Sequence, residues 1–169
     1  KHGRHSSAGF TLIEMLVVIL MVGIVSAIAA PSWQGFLDRQ RMNAVRSDLM
    51  GDLKAAQDEA LARQKSRQVT FLTDTASTPS SVMVSDVSAT PSGVTTVLGN
   101  GETGNKYNLV ASTPIIFDHD GRVDVATPYV VKIINSEAPS SSSPTQSCVI
   151  VTTLLGGLKP ANDDLCDSF

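Results

Sequence analysis

The sequence predicts an α+β fold: a long N-terminal helix, apolar in its first half and amphipathic in its second, packed on an antiparallel β-sheet head. Three observations carry this prediction. From Phe10 to Ala30 a run of 21 residues holds one charge, Glu14. Apolar residues at helical spacing then continue through Met42, Val45, Leu49, Leu53, Ala56, Ala60 and Leu61. Beyond Arg67 the pattern changes to short alternating runs separated by Gly, Asn, Ser and Pro clusters. A helix followed by consecutive strands is the chain order of an α+β domain.

Composition removes several functions. A chain of 169 residues with 42% hydrophobic and 17% charged residues is not a disordered polyelectrolyte. A net charge of −3 argues against whole-chain electrostatic binding to nucleic acid, and 5% aromatics leave little for a base-stacking platform. Two cysteines and three histidines cannot form a Cys₄ zinc site or an all-cysteine iron–sulfur cluster.

As a helix, Phe10 to Ala30 extends about 31 Å, enough to cross a bilayer core. A short basic stretch with Lys1 and Arg4 precedes it and would hold that end in the cytoplasm. An ordinary membrane anchor fits the length. A secretory signal peptide fits the A-x-A site Ala27-Ile28-Ala29. Neither uses Glu14, a carboxylate that is expensive in an apolar helix unless something meets it.

The run Gly9-Phe10-Thr11-Leu12-Ile13-Glu14 resembles the G-F-T-L-I-E signature of type IV pilins and of the pseudopilins of type II secretion. The resemblance implies that a prepilin peptidase cuts between Gly9 and Phe10 and methylates the new amine. The chain would then be a substrate of that enzyme and not itself an enzyme. It would wait in the inner membrane with its head outside the cytoplasm. It would pass through an inner-membrane assembly platform and join other pilin or pseudopilin subunits in a periplasmic or extracellular filament. In a filament core, Glu14 would meet the Phe10 amine of a neighbour. Leaving either charge unpaired would cost about 3–5 kcal/mol.

On this reading residues 1–9 are a leader, 10–31 the membrane and filament-core helix, 32–67 the amphipathic half-helix and 68–169 the β-rich head. Gly23 weakens the helix by about 1 kcal/mol relative to Ala, and Pro31 removes a hydrogen bond and kinks it. Both resemble the helix-softening positions of pilins; alternatively, Pro31 marks the membrane exit. The helix continues to about Arg67. Its second half, Arg39 to Arg67, carries seven basic and four acidic residues, net +3, against net −6 for Gln68 to Phe169. That contrast suits complementary packing between subunits, or a plain solvated helix face.

Strands are predicted at 68–73, 81–85, 93–98, 107–110, 114–117, 129–134 and 148–153. Asn135 to Gln146 reads as an exposed, Ser-rich hairpin loop. The segment from Ile116 to Val123 (F-x-x-x-G-R) and the run from Cys148 to Gly157 resemble the H-type minor pseudopilins and FimT-like minor pilins. Outside the cytoplasm, Cys148 and Cys166 are free to form a disulfide worth about 3 kcal/mol, pinning the tail from Lys159; two free thiols are the alternative.

The remaining chemistry is sparse. Asp118-His119-Asp120-Gly121 with Asp124 matches a calcium loop incompletely and reads as an Asp-Gly turn. No catalytic constellation, metal site or cofactor-binding motif is present in the sequence. The resemblance brings DNA into view, because some FimT-like minor pilins bind it through a basic C-terminal stretch of the G-R-x-R type. Here Gly157-Leu158-Lys159-Pro160 lacks both arginines and is followed by Asp163, Asp164 and Asp167, which argues against DNA as a partner. The sequence therefore reads as a structural minor subunit of a type IV pilus. A minor pseudopilin of type II secretion and a DNA-binding minor pilin are the alternatives within the class, and a domain released after Ala29 lies outside it.

Overall fold

A computed structural model of the chain describes residues 10–73, 79–87, 92–101, 106–135 and 146–167, with the side chains at 28–32, 34, 100 and 101 outside the description. The chain divides into two compact units, Lys1–Asp38 and Arg39–Phe169. One helix, α1 (Leu12–Arg63), contributes to both. Gly23 and Pro31 both lie within its unbroken helical assignment.

α1 stops short of the predicted Arg67. Gln64 takes a left-handed φ of 53° and the Lys65 N–H donates to the Ala60 carbonyl at 3.2 Å. This is a Schellman-type stop with glutamine in the place usually held by glycine, so the sequence announces no end. Arg67 then opens the first strand with its side chain buried. Its guanidinium donates to Glu59 at 2.9 Å and to Asp86 at 2.6 Å, tying the helix end to two strands. Arg63 joins Glu59 at 2.9 Å from one turn away.

The head holds two four-stranded sheets where one was expected. The first runs β3 (Gly93–Val97), β2 (Ser81–Asp86), β1 (Arg67–Leu72), β5 (Ile115–Phe117). The second runs β4 (Tyr107–Val110), β6 (Tyr129–Asn135), β7 (Gln146–Val151), β8 (Leu158–Asn162). Every pairing is antiparallel, as predicted. Seven strands fall within two residues of their predicted bounds. β8 is the addition: it carries Pro160 and shows no alternation, so nothing in its composition suggests a strand. The hairpin loop predicted between Asn135 and Gln146 lies almost wholly outside the described residues.

Within the second unit, Met42, Val45, Leu49, Leu53, Ala56 and Ala60 form the buried stripe of α1. They share one core with Val69, Val82, Leu109, Ile115, Phe117, Val131, Ile133, Val149 and Val151 of both sheets. Leu61, read as part of the stripe, stands 42% exposed because it follows Ala60 by only one residue, about 100° around the helix. A second, smaller cluster of Cys148, Ile150, Ala161 and Cys166 covers the other side of β7, which is why five consecutive β7 residues are buried.

Candidate assembly site

The first unit presents apolar surface with no cover of its own. Every large apolar side chain from Phe10 to Val25 is between 44% and 85% exposed, and Trp33 and Phe36 continue the pattern with ring centroids 6.0 Å apart. Full burial of one such side chain is worth about 1.5–3 kcal/mol, so this face represents a gross driving force above about 20 kcal/mol. Glu14 is the one charge within it. Its carboxylate is exposed and has no ion pair among the described residues.

Thr11 organises the entry. Its Oγ1 accepts the Glu14 N–H at 3.3 Å and its carbonyl accepts the Met15 N–H at 3.2 Å. Thr11 is thus the N-cap and Glu14 the third helical residue, the T-x-x-E spacing of a capping box. That spacing is visible in the sequence, and it gives Glu14 a local role beside the expected pairing with a neighbour. Gly9 lies outside the described residues. Gly23 has open space around its Cα, with no atom within 4 Å of an added Cβ. Among the described residues no helix is long and apolar enough to cross a membrane.

In the second unit Cys148 and Cys166 are joined, with Cα atoms 5.9 Å apart. The bond folds a 3-10 turn, Asp163–Cys166, back against β7, and Lys132 of β6 pairs with Asp167 beyond it. Asp118 forms a turn: its Oδ1 accepts the Asp120 N–H at 2.9 Å and the Arg122 N–H at 2.8 Å, while Gly121 takes φ of 73°. Among the described residues no group of three or more His, Cys, Asp or Glu side chains could hold a metal ion. An open cleft of about 270 Å³ lies between Arg39, Met42, Asn43, Gln146, Asn162 and Asp163. It carries one cation and one anion and no nucleophile.

Gln57 is a positioning residue that the sequence did not single out. Its amide donates to the Gly121 carbonyl at 2.8 Å and to the Leu155 carbonyl at 2.9 Å, and the Val123 N–H takes the Leu154 carbonyl at 2.8 Å. Two separate turns of the head are thereby locked to one helix side chain. Asp52 is the strained group of the same helix. Its Oδ2 is buried without a partner, and burial, with the Asp48 carboxylate behind it, raises its pKa above 3.8.

Comparison with known proteins places this geometry. The family described as the prokaryotic N-terminal methylation motif matches residues 4–30. The chain is 34% identical over 64 residues to the type IV major fimbrial protein FimA of Dichelobacter nodosus, covering 38% of this chain and 39% of that one. It is 38% identical over 61 residues to the type IV major alpha-pilin of Moraxella bovis, covering 36% and 38%. A further FimA of D. nodosus aligns at 29% over 119 residues, 70% of this chain and 69% of that one. The chain thus spans about two-fifths of the length of the curated relatives it matches first. Its fold is shared with the type IV minor pilin FimU of Pseudomonas aeruginosa, at 11% identity and a TM-score of 0.52 over 76% of this chain and 97% of that one. The fold is an α+β pilin fold with an N-terminal methylation motif at its start. The chain resembles type IV pilins in its N-terminal motif and in its fold.

Proposed function

We propose that the chain is a structural minor subunit of a type IV pilus, assembled through its N-terminal helix after cleavage at Gly9 and N-methylation of Phe10. The observation that carries this reading is the uncovered apolar surface from Phe10 to Val25 with the single carboxylate of Glu14 in it. Such a surface needs a bilayer before assembly and identical or related helices after it. In the packed state the Glu14 carboxylate neutralises the methylated amine of a neighbour's Phe10 and sets the axial register. Gly23 and Pro31 are the positions where the helix softens in the fibre. The peptidase and the inner-membrane platform are the partners this route requires. The shared fold supports a pilus subunit, and the minor role rests on the resemblance of Ile116–Val123 and Cys148–Gly157 to minor pilins and pseudopilins.

A type II secretion pseudopilus uses the same helix chemistry and remains the nearest alternative. DNA uptake is supported less: Lys159 stands exposed beside Asp163, Asp164 and Asp167.

The decisive measurement is the mass of the mature N-terminus. An N-methylated Phe10 is expected; a chain starting after Ala29 would overturn the reading. Glu14→Leu should still enter the membrane yet assemble at least tenfold less, and wild-type incorporation of that variant would remove the charge-pairing argument.

A further inference from the structure

Trp33 and Phe36 stand one turn apart on the same face of α1, with ring planes tilted by 41°. Both belong to the first unit and are 63% and 55% exposed. Trp33 is the one tryptophan of the chain. The run from Met15 to Leu37 holds no Asp, Glu, Lys or Arg, and is bounded by Glu14 and Asp38. Trp33 and Phe36 are the only aromatic residues in it, and both lie at its C-terminal end.

Trp33 follows Glu14 by 19 residues. Along a helix that is about 29 Å, against a hydrocarbon core of about 30 Å. An indole has an apolar body and one N–H donor, so it settles where one end is apolar and the other wet. A carboxylate is costly inside hydrocarbon. A helix held with Trp33 at headgroup level on one side therefore carries Glu14 to the hydrated edge on the other. A neighbouring helix suits the aromatic pair less well, because helix contacts in lipid favour small side chains that let backbones approach.

We propose that Trp33 and Phe36 bind the headgroup zone of a phospholipid bilayer and fix the depth at which the unassembled chain waits, with Glu14 at the opposite edge of the hydrocarbon. This depth-setting role rests on the membrane stage proposed above. Before a neighbour's amine is present, the Glu14 carboxylate is hydrated at that edge, and no charge is stranded in hydrocarbon. It leaves the edge only when pairing in a filament replaces water. The two anchors resist sliding together. A shift of one turn, about 5.4 Å, toward the Trp33 side would draw Glu14 into hydrocarbon and the aromatic pair into water. The opposite shift would pull the indole N–H away from its headgroup acceptors.

The test reconstitutes the full chain in vesicles of phosphatidylethanolamine and phosphatidylglycerol, where the single tryptophan makes indole emission a report on position 33 alone. Lipids brominated close to the headgroup should quench it about threefold more than lipids brominated at the chain ends. Both native cysteines are locked in the disulfide, so an added one is unique. A membrane-impermeant maleimide on the Glu14 side should label Ile13→Cys about tenfold faster than Ile19→Cys, because only a thiol that water reaches ionises and reacts. Both positions are exposed in the isolated chain, at 71% and 69%, so the contrast comes from the bilayer. Replacing Trp33 and Phe36 together by Leu keeps the helix apolar and should erase that contrast. Quenching independent of bromine depth assigns the pair to water or to another helix and overturns the proposal. So does equal labelling at positions 13 and 19, or a contrast that survives the double Leu variant. A chain that alkaline washing strips from the vesicles overturns the membrane stage as well; a retained chain with any of the adverse results overturns the depth-setting role alone.

Discussion

Thr11 caps the helix that Glu14 enters, with Oγ1 accepting the Glu14 N–H at 3.3 Å. An acid at the third helical position also meets the positive end of the helix dipole, a contribution of about 0.3–1 kcal/mol. Local helix chemistry and pairing with a neighbour therefore favour the same residue for different reasons. They separate on substitution. Thr11→Val should remove the cap at a cost of about 1 kcal/mol, read as about fivefold faster amide exchange at residues 13–15. Thr11→Ser should restore it.

Asp52 is a place where the head can be made more stable. Its folded pKa lies above 3.8, raised first by burial and then by Asp48. The folded state therefore holds the proton more tightly than the unfolded chain does. Asp52 favours folding below 3.8, and that contribution disappears as pH rises through the folded value. Asp52→Asn should raise Tm by about 1–3 °C near neutral pH, a small gain because the group is partly exposed. The gain should vanish near pH 3. Thermal melts at the two pH values check both halves of the expectation.

Gly156 takes φ of 74°, and a Cβ there would come 2.5 Å from Gln57 Nε2. Gly156→Ala should cost about 1–3 kcal/mol through backbone strain and displacement of the Gln57 amide. Gln57→Ala should cost about 1 kcal/mol by leaving the Gly121 and Leu155 carbonyls without their donor. The two together should cost less than the sum, because either one alone already breaks the same contact. Thermal melts of the two single variants and the double variant give the coupling.

Replacing Cys148 and Cys166 together by Ala should cost about 3 kcal/mol by the loop-closure model, with some further loss from the emptied cluster around Ile150 and Ala161. The check is the shift in melting temperature relative to the oxidised protein, which should be matched in direction by adding reductant to the native chain.

What the sequence revealed, and what it hid, follows from the range of the forces involved. The buried stripe from Met42 to Ala60 was readable because helical periodicity is a local signal. The strands β1 to β7 were readable from β-branched runs. The end of α1 was not, because Gln64 takes a left-handed φ that glutamine does not signal. β8 was not, because its pairing with β7 and the anchor at Cys166 override a composition that includes Pro160. The split into two sheets depends on which strands meet across the core, and no local pattern encodes that. At the N-terminus the motif is legible as a string of residues, and the T-x-x-E spacing of the cap lies inside that same string.

Pro160 has a consequence for β7 as well. Without β8, the buried strand β7 would become an edge, ready to join any extended chain nearby. A strand that itself lacks one amide donor thus seals a neighbour that would otherwise lie open to aggregation.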